Sequence, residues 1–187
     1  MNFEQFPEIK TERLLLRKIE LSDSAEILFL RSNEIVNQFI ERPESRKTKT
    51  HSDAVRFINE INEAFENGES ITWGIALNKN PKIIGTICLW NFSVDQNIAE
   101  VGYDLNPEFH GMGVMSEALK NVIIFGFNRL NLSSLEAFTD RRNKGSKKLL
   151  EKIGFHRNVD RLDKHNTFNE IFELIRHTWE IQKMNSV

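Results

Sequence analysis

The chain has 187 residues, 40% of them apolar, which suits one domain of ordinary size around a continuous core. Its 25 basic and 27 acidic residues are mixed along the sequence and leave a formal charge of -2, so it lacks the concentrated positive field that nucleic acid or an anionic membrane selects. Cys88 is the single cysteine and cannot form an internal disulfide, the start Met1-Asn2-Phe3-Glu4-Gln5 is not a basic-then-apolar leader, and no run reaches membrane-spanning length; these features predict a cytoplasmic protein, neither secreted nor membrane-spanning.

Residues 12–19 alternate loosely around Leu14, Leu15 and Leu16 and read as a first strand. Asp23 with Glu26 three positions on has the spacing of a capping box, which predicts a helix over 23–32. Pro43 and its polar neighbours place a loop over 42–50. Ala54, Phe57, Ile58, Ile61, Ala64 and Phe65 then recur at three- and four-residue steps as one apolar helical stripe, with Gly68 where a left-handed cap belongs.

Residues 70–77 and 83–92 are rich in β-formers and flank the reversing segment 78–82, which predicts an antiparallel hairpin. A third strand over 98–105 follows the polar turn 93–97 and is ended by Pro107. Met115, Ala118, Leu119, Val122 and Ile123 give helical spacing over 114–127; a strand over 135–139, a helix over 144–153 stopped by Gly154, and strands over 155–159 and 167–176 complete the order. Trp73, Trp90 and Trp179, in or beside these strands, are expected in the core. The succession predicts an α+β fold around a mixed sheet, with no internal repeat.

The segment from Glu100 to Ala118 carries the chemistry. Gly111 and Gly113, immediately ahead of a helix, let the backbone turn sharply and expose consecutive amides, while the helix start adds partial positive charge; a pyrophosphate suits such a place. Glycine pairs also serve ordinary strand-to-helix turns, so the pair alone leaves both readings open. The segment has neither the Lys-Ser/Thr ending of a Walker A loop nor the three-glycine spacing of a dinucleotide-binding turn.

Three stretches in order, Thr11-Glu12-Arg13-Leu14-x-Leu16-Arg17, then Ala99-Glu100-Val101-Gly102-Tyr103 with His110-Gly111-Met112-Gly113 and Ser116-Glu117-Ala118, then Asn143-x-x-Ser146-x-x-Leu149-Leu150-x-x-Ile153-Gly154-Phe155, give the chain its likeness. It resembles the GNAT acetyltransferase superfamily, in particular the RimJ/RimL-like ribosomal-protein N-acetyltransferases, over roughly residues 11–177. The resemblance implies a single domain over 9–180, with 1–8 and 181–187 as terminal extensions. It implies a mixed, mostly antiparallel sheet, splayed at its centre and flanked by helices, with the pantetheine of acetyl-CoA in the splay. Acetyl-CoA is thus the expected cosubstrate, and a primary amine, above all a protein or peptide N-terminus, the expected acceptor. A non-catalytic acyl-CoA sensor and an antibiotic or polyamine acetyltransferase are the alternatives.

On the same resemblance the amides of His110, Gly111, Met112, Gly113, Val114 and Met115 hold the pyrophosphate, with Val101, Tyr103 and Phe109 also lining the cofactor. His110 stands where Gln or Arg is usual and Met115 where a small residue is usual; because backbone amides do the binding, both changes are expected to be tolerated. Glu100 is the expected general base, since glutamates at this strand act as bases in related acetyltransferases; its plain reading is a surface carboxylate beside a lysine. Tyr103 is the only tyrosine, so the C-terminal tyrosine that protonates the thiolate in many relatives is absent, and Ser146 takes that role by resemblance. Ser146 and Asn143 also fit as ordinary helix-start residues, Asn143 either bonding the pantetheine or capping the helix. Arg141, Arg142, Lys144, Lys147 and Lys148 offer positive charge for the 3′-phosphate of CoA or form a solvated surface. His51, His156, His165 and His177 have no ligand spacing, so no metal is expected. The resemblance places acceptor contacts in the early helices and the loop 40–50, and the apolar C-terminal strand offers a surface for a homodimer.

Overall fold

The computed structural model describes residues 5–95 and 97–184; parts of both expected terminal extensions, 1–4 and 185–187, lie outside the described residues. Strands β1 (Ile9–Lys10), β2 (Leu14–Arg17), β3 (Ile71–Leu77), β4 (Asn80–Trp90), β5 (Ile98–Leu105), β6 (Ser134–Asp140), β7 (His156–Asn158) and β8 (Asn169–Ile175) form one sheet in the order β1-β2-β3-β4-β5-β6-β8-β7. Pairing is antiparallel for β1–β2, β2–β3, β6–β8 and β7–β8, and parallel for β5–β6. The helices are α1 (Ser24–Ser32), α2 (Glu34–Asn37), α3 (His51–Glu66), α4 (Val114–Arg129), α5 (Lys144–Ile153) and α6 (Arg176–Met184). The α+β class and the mixed, mostly antiparallel sheet agree with the sequence reading. The chain groups into two compact units, residues up to 88 with 103–121, and residues 89–102 with those from 122 onward.

In the first unit, Ile27 and Leu30 of α1 pack with Ala54 and Ile58 of α3 and with Ile19 and Ile83 in one buried cluster. The stripe read from the sequence is this buried face, and Gly68 does adopt a left-handed φ of 73° just beyond α3. Thr50 caps α3 by accepting from Asp53 N at 3.2 Å, and Asp53 answers by accepting from Thr50 N at 2.9 Å. The expected Asp23–Glu26 box does not form. Both Asp23 oxygens instead accept from Arg17, at 2.8 and 2.7 Å, and one also from Glu20 N, because a buried carboxylate is better satisfied by a guanidinium than by a helix amide. The β3–β4 reversal is tighter than expected, with β4 already beginning at Asn80; Asn78 is tied by its Nδ2 to the carbonyls of Thr11 and Glu12. Trp73 is fully buried and donates its Nε1 to Pro7 O at 2.7 Å.

In the second unit, β6 and β8 pair along their whole length, and Phe127, Phe155 and Phe172 fill the core. The strand expected to reach residue 176 ends at Ile175 and turns directly into α6, a helix the sequence reading lacks; Arg176 reaches Glu180 one turn on at 2.9 Å. Trp179 is therefore a helix residue, buried edge-on against Phe127 with ring centres 5.4 Å apart. Trp90 is not core: it closes β4 at 42% exposure, where the chain leaves the sheet through Asn91 at a positive φ of 48°. Among the described residues no helix is long and apolar enough to cross a membrane.

One glycine in the first unit is fixed by close approach. A methyl group at Gly85 would lie 2.5 Å from the Asp104 carbonyl oxygen, which is backbone and cannot rotate away. Gly85→Ala is expected to lower stability by about 1–3 kcal/mol in urea or guanidinium denaturation, the range for overpacking; an unchanged midpoint would contradict the packing described.

Candidate functional site

Within the first unit, β5 gives way at Asn106, whose Oδ1 accepts from Glu108 N at 3.1 Å, to a short 3₁₀ turn at Pro107–Phe109. The chain then passes through Gly111 and Gly113, both at φ 75°, into α4. These left-handed positions are what the two glycines supply. A methyl group at Gly111 would meet nothing within 4 Å, so the loop is open on that side. Glu117 N donates to Gly113 O at 3.0 Å, and the amides of Val114, Met115 and Ser116 have no acceptor inside their own helix. Open space beside amides at a positive helix end fits a pyrophosphate. His110 is exposed, its Nε2 3.1 Å from Leu105 O, and Met112 is exposed as well. Val114 and Met115 are buried, so the bulk of Met115 is taken up in packing; Tyr103 and Phe109 are half-buried.

The loop is anchored by a contact that the sequence reading did not foresee, although it quoted both partners. Glu117 accepts from Thr11 Oγ1 at 2.5 Å, from Arg13 N at 3.0 Å and from Arg13 Nε at 2.7 Å, while Arg13 Nη1 donates to Met112 O at 3.0 Å. Desolvation pushes the Glu117 carboxyl up, but the bonds from Thr11 and Arg13 outweigh it and hold the group below its ordinary value. The N-terminal motif and the motif that opens α4 are thus two halves of one fastening.

In the second unit, Ala99 and Val101 are buried, and Glu100 between them is half-buried on the opposite face of β5. The parallel pairing aligns Ile98, Ala99 and Glu100 with Ser134, Leu135 and Glu136. Glu136 in turn aligns with Glu173 on β8, so three carboxylates stand in one row across three strands. Like charges so placed repel. Arg161 answers two of them: it pairs with Glu136 and, at 2.5 Å, with Glu173, which also accepts from Asn158 Nδ2 at 2.9 Å. Glu100 has only Asn91 Nδ2, at 3.4 Å, and among the described residues no cation pairs with it, which removes the reading of a surface carboxylate beside a lysine. Burial pushes its carboxyl up to about 7, with Asp163 and Glu136 adding repulsion and Asn91 offsetting part of the rise.

Also in this unit, Asn143 caps α5 by accepting from Ser146 N at 3.0 Å, and Ser146 sits half-buried in the first helical turn. Of the five cations around this helix start, Arg142 is bound to Asp140 at 2.6 Å, Lys147 pairs with Glu170 at 2.8 Å, and Arg141 lies 5.1 Å from the Phe168 ring centre. Lys144 and Lys148 are exposed and form no ion pair among the described residues. Glu100, Val101, Asn143 and Ser146 fall in the second unit, and Tyr103 with the 109–115 loop in the first. Sequence reasoning missed Glu136, Glu173 and Arg161, which only strand register brings together.

A mixed sheet with a short parallel pair, and a glycine loop suited to pyrophosphate at a helix start, agree with the CoA-dependent acyltransferase that the resemblance implies. The family model described as an acetyltransferase (GNAT) domain matches residues 13–156. The uncharacterized N-acetyltransferase YoaA of Bacillus subtilis (strain 168) is 32% identical over 154 residues, 81% of this chain and 84% of that protein. The same fold occurs in the crystal structure of ribosomal-protein-S5-alanine acetyltransferase from Vibrio fischeri, at a TM-score of 0.77 and 22% identity, covering 92% of this chain and 98% of that one. It occurs again in RimL, the ribosomal L7/L12 alpha-N-protein acetyltransferase solved with coenzyme A, at a TM-score of 0.77 and 15% identity, covering 90% and 98%. The chain belongs to the GNAT acetyltransferases, with acetyl-CoA as cosubstrate.

The cap on α5 makes a separate prediction. Asn143→Ala should lower stability by about 1 kcal/mol, and Asn143→Asp should retain most of it, in denaturant titrations of the full chain; equal losses would show that the cap is not what Asn143 contributes to stability.

Proposed function

We propose that the protein moves the acetyl group of acetyl-CoA to the primary amine of a protein or peptide N-terminus, acting as one domain over residues 9–180. The supporting observation is the half-buried Glu100, raised to about 7 and left without a cation while Arg161 occupies its two neighbours. A base is most useful when its pKa lies near the working pH. An α-amino group, at about 8, is within reach of such a base, whereas a lysine or polyamine ammonium near 10.4 is far harder to deprotonate.

In this reading the amides of His110 to Met115 hold the pyrophosphate, and Val101, Tyr103 and Phe109 line the cofactor. The Oδ1 of Asn143 is taken by the helix cap, so its Nδ2 is the group that bonds the pantetheine. The amine nitrogen forms a C–N bond with the acetyl carbon as the C–S bond breaks. Glu100 accepts the proton lost by the amine, and the Ser146 hydroxyl passes one to the departing thiolate as it takes one back from solvent, so that the amide and the CoA thiol are the products and the amine's proton stays on Glu100.

Mass spectrometry of a pool of N-terminal peptides and small amines, after incubation with protein and acetyl-CoA, tests this reading; labelled polyamines beside unlabelled peptides would overturn the acceptor class. Glu100 is protonated below its midpoint and a base above it, so kcat should rise with pH through about 7. Glu100→Gln should remove that limb and lower kcat by about a hundred- to ten-thousand-fold while acetyl-CoA affinity holds. Ser146→Ala should also lower kcat, and full turnover in either variant would refute the role given to it.

A further inference from the structure

The carboxylate row of the second unit is held by one side chain that comes from outside the sheet. Asn158, at the end of β7, turns the chain by accepting on one Oδ1 from Asp160 N at 3.0 Å and from Arg161 N at 3.1 Å, while its Nδ2 donates to Glu173 at 2.9 Å. The turn delivers Arg161 onto the row. Its Nη1 and Nη2 each donate to one oxygen of Glu136, the second at 3.1 Å, and Nη1 also reaches Glu173 at 2.5 Å. The bond to Glu136, joined by that to Glu173, outweighs desolvation and raises the guanidinium above its ordinary value, so its charge is permanent.

Beside Glu100, Glu136 is the next carboxylate in register on β6, one strand spacing or about 4.8 Å along the sheet. Glu173 on β8 stands two spacings off, and the exposed His156 on β7 three. From the loop after β7, Asp163 also repels Glu100; burial pushes Asp163 up, but bonds from Asn169 Nδ2 at 2.8 Å and from the amides of His165 and Asn166 outweigh it, so it stays ionised. Asn91 supplies the single hydrogen bond that Glu100 receives among the described residues. Of the two carboxylates that repel Glu100, Glu136 is the one held by a cation among those residues. Arg161 makes no bond to Glu100, so it acts on that carboxylate at a distance, by offsetting the charge of Glu136.

We propose that Arg161 is a positioning residue for the acetyl transfer: its charge, held on Glu136 and Glu173, is what lets Glu100 shed its proton and serve as base near neutral pH. Neighbouring carboxylates retain a proton between them, and an opposite charge on one makes it easier for the other to ionise. Without the guanidinium, an uncompensated negative charge would stand one strand from a half-buried carboxylate that burial already biases towards its neutral form. This rests on Glu100 as the base and deepens that reading, because it assigns a residue that works through Glu136 and not on the amine.

The full-length protein and its variants can be compared in two ways: kcat against pH, with acetyl-CoA and the peptide labelled most strongly in the pool above, and 13C NMR titration of the glutamate carboxyl carbons. The Glu100 signal is the one lost in Glu100→Gln. Arg161→Gln should raise the Glu100 midpoint by about one unit from its value of about 7, so that kcat at pH 7 falls about fivefold and recovers by about pH 9. Arg161→Lys, which keeps the charge, should retain most of the original midpoint. Glu136→Gln, which leaves the loop untouched, should lower the midpoint, and adding it to Arg161→Gln should cancel the rise. A loop that had merely lost its shape would give a loss of kcat that no pH restores and that Glu136→Gln does not relieve. An unmoved midpoint in Arg161→Gln, a rise that survives in the double variant, or no fall in Glu136→Gln alone overturns the proposal. If no peptide is labelled, or Glu100→Gln keeps the pH limb, the base reading of Glu100 fails, and the NMR midpoints alone still decide whether Arg161 governs that carboxylate.

Discussion

The electrostatics of the second unit depend on a shortage of positive charge. Strand register alone places Glu100, Glu136 and Glu173 in one row, and sheets ordinarily avoid like charges opposite one another. A single guanidinium, Arg161, stabilises the row, but its fork reaches only the two carboxylates beyond β5. Glu100 is left to the weaker help of an amide 3.4 Å away, and burial raises its pKa from the usual carboxylate range to near neutrality. Had β5 carried the cation, the same strand would hold a permanently ionised, weakly basic carboxylate. The parallel pairing matters for the same reason, because it brings Glu100 into line with Glu136.

In the first unit a carboxylate is fully served instead. Glu117 takes three hydrogen bonds from Thr11 and Arg13, and the arginine goes on to hold the Met112 carbonyl inside the glycine loop. Left-handed glycines give a loop freedom, and freedom works against a preformed anion cradle. The fastening of β2's approach to the start of α4 removes part of that freedom without filling the side where Gly111 is open. It also accounts for two short motifs so far apart in sequence: each is weak alone, and together they form a single contact.

Most of the element order was legible because it rests on local rules. Period and punctuation gave α3, α4, α5 and the hairpin within a few residues, and Gly68 and Gly154 marked helix ends by their positive φ. The failures arose where tertiary contacts override local preference. Asp23 turned to Arg17 and the Glu20 amide instead of pairing with Glu26, and Trp90, apolar and in a strand, fell at a strand end where it is only partly covered. Residues from 176 onward followed the β-rich run of β8 closely enough to hide a change of period, so α6 was missed. Glu100, Asn143, Ser146 and the glycine loop could be named because their motifs are contiguous or nearly so. Arg161 could not, since it acquires its meaning from groups that only folding brings near.

The two units leave charge unbalanced in opposite senses, each within itself. Around Glu100 there is excess negative charge, with one guanidinium for three carboxylates in a row. Around Arg31 and Arg42 the excess is positive, with at most one ionised carboxylate for two guanidiniums. Neither imbalance favours the fold, since both keep partly buried charge without a matching partner. Each imbalance is therefore offset by other terms of folding within its own unit, such as the burial of Phe127, Phe155 and Phe172 in the second and of Ile27, Leu30 and Ile58 in the first.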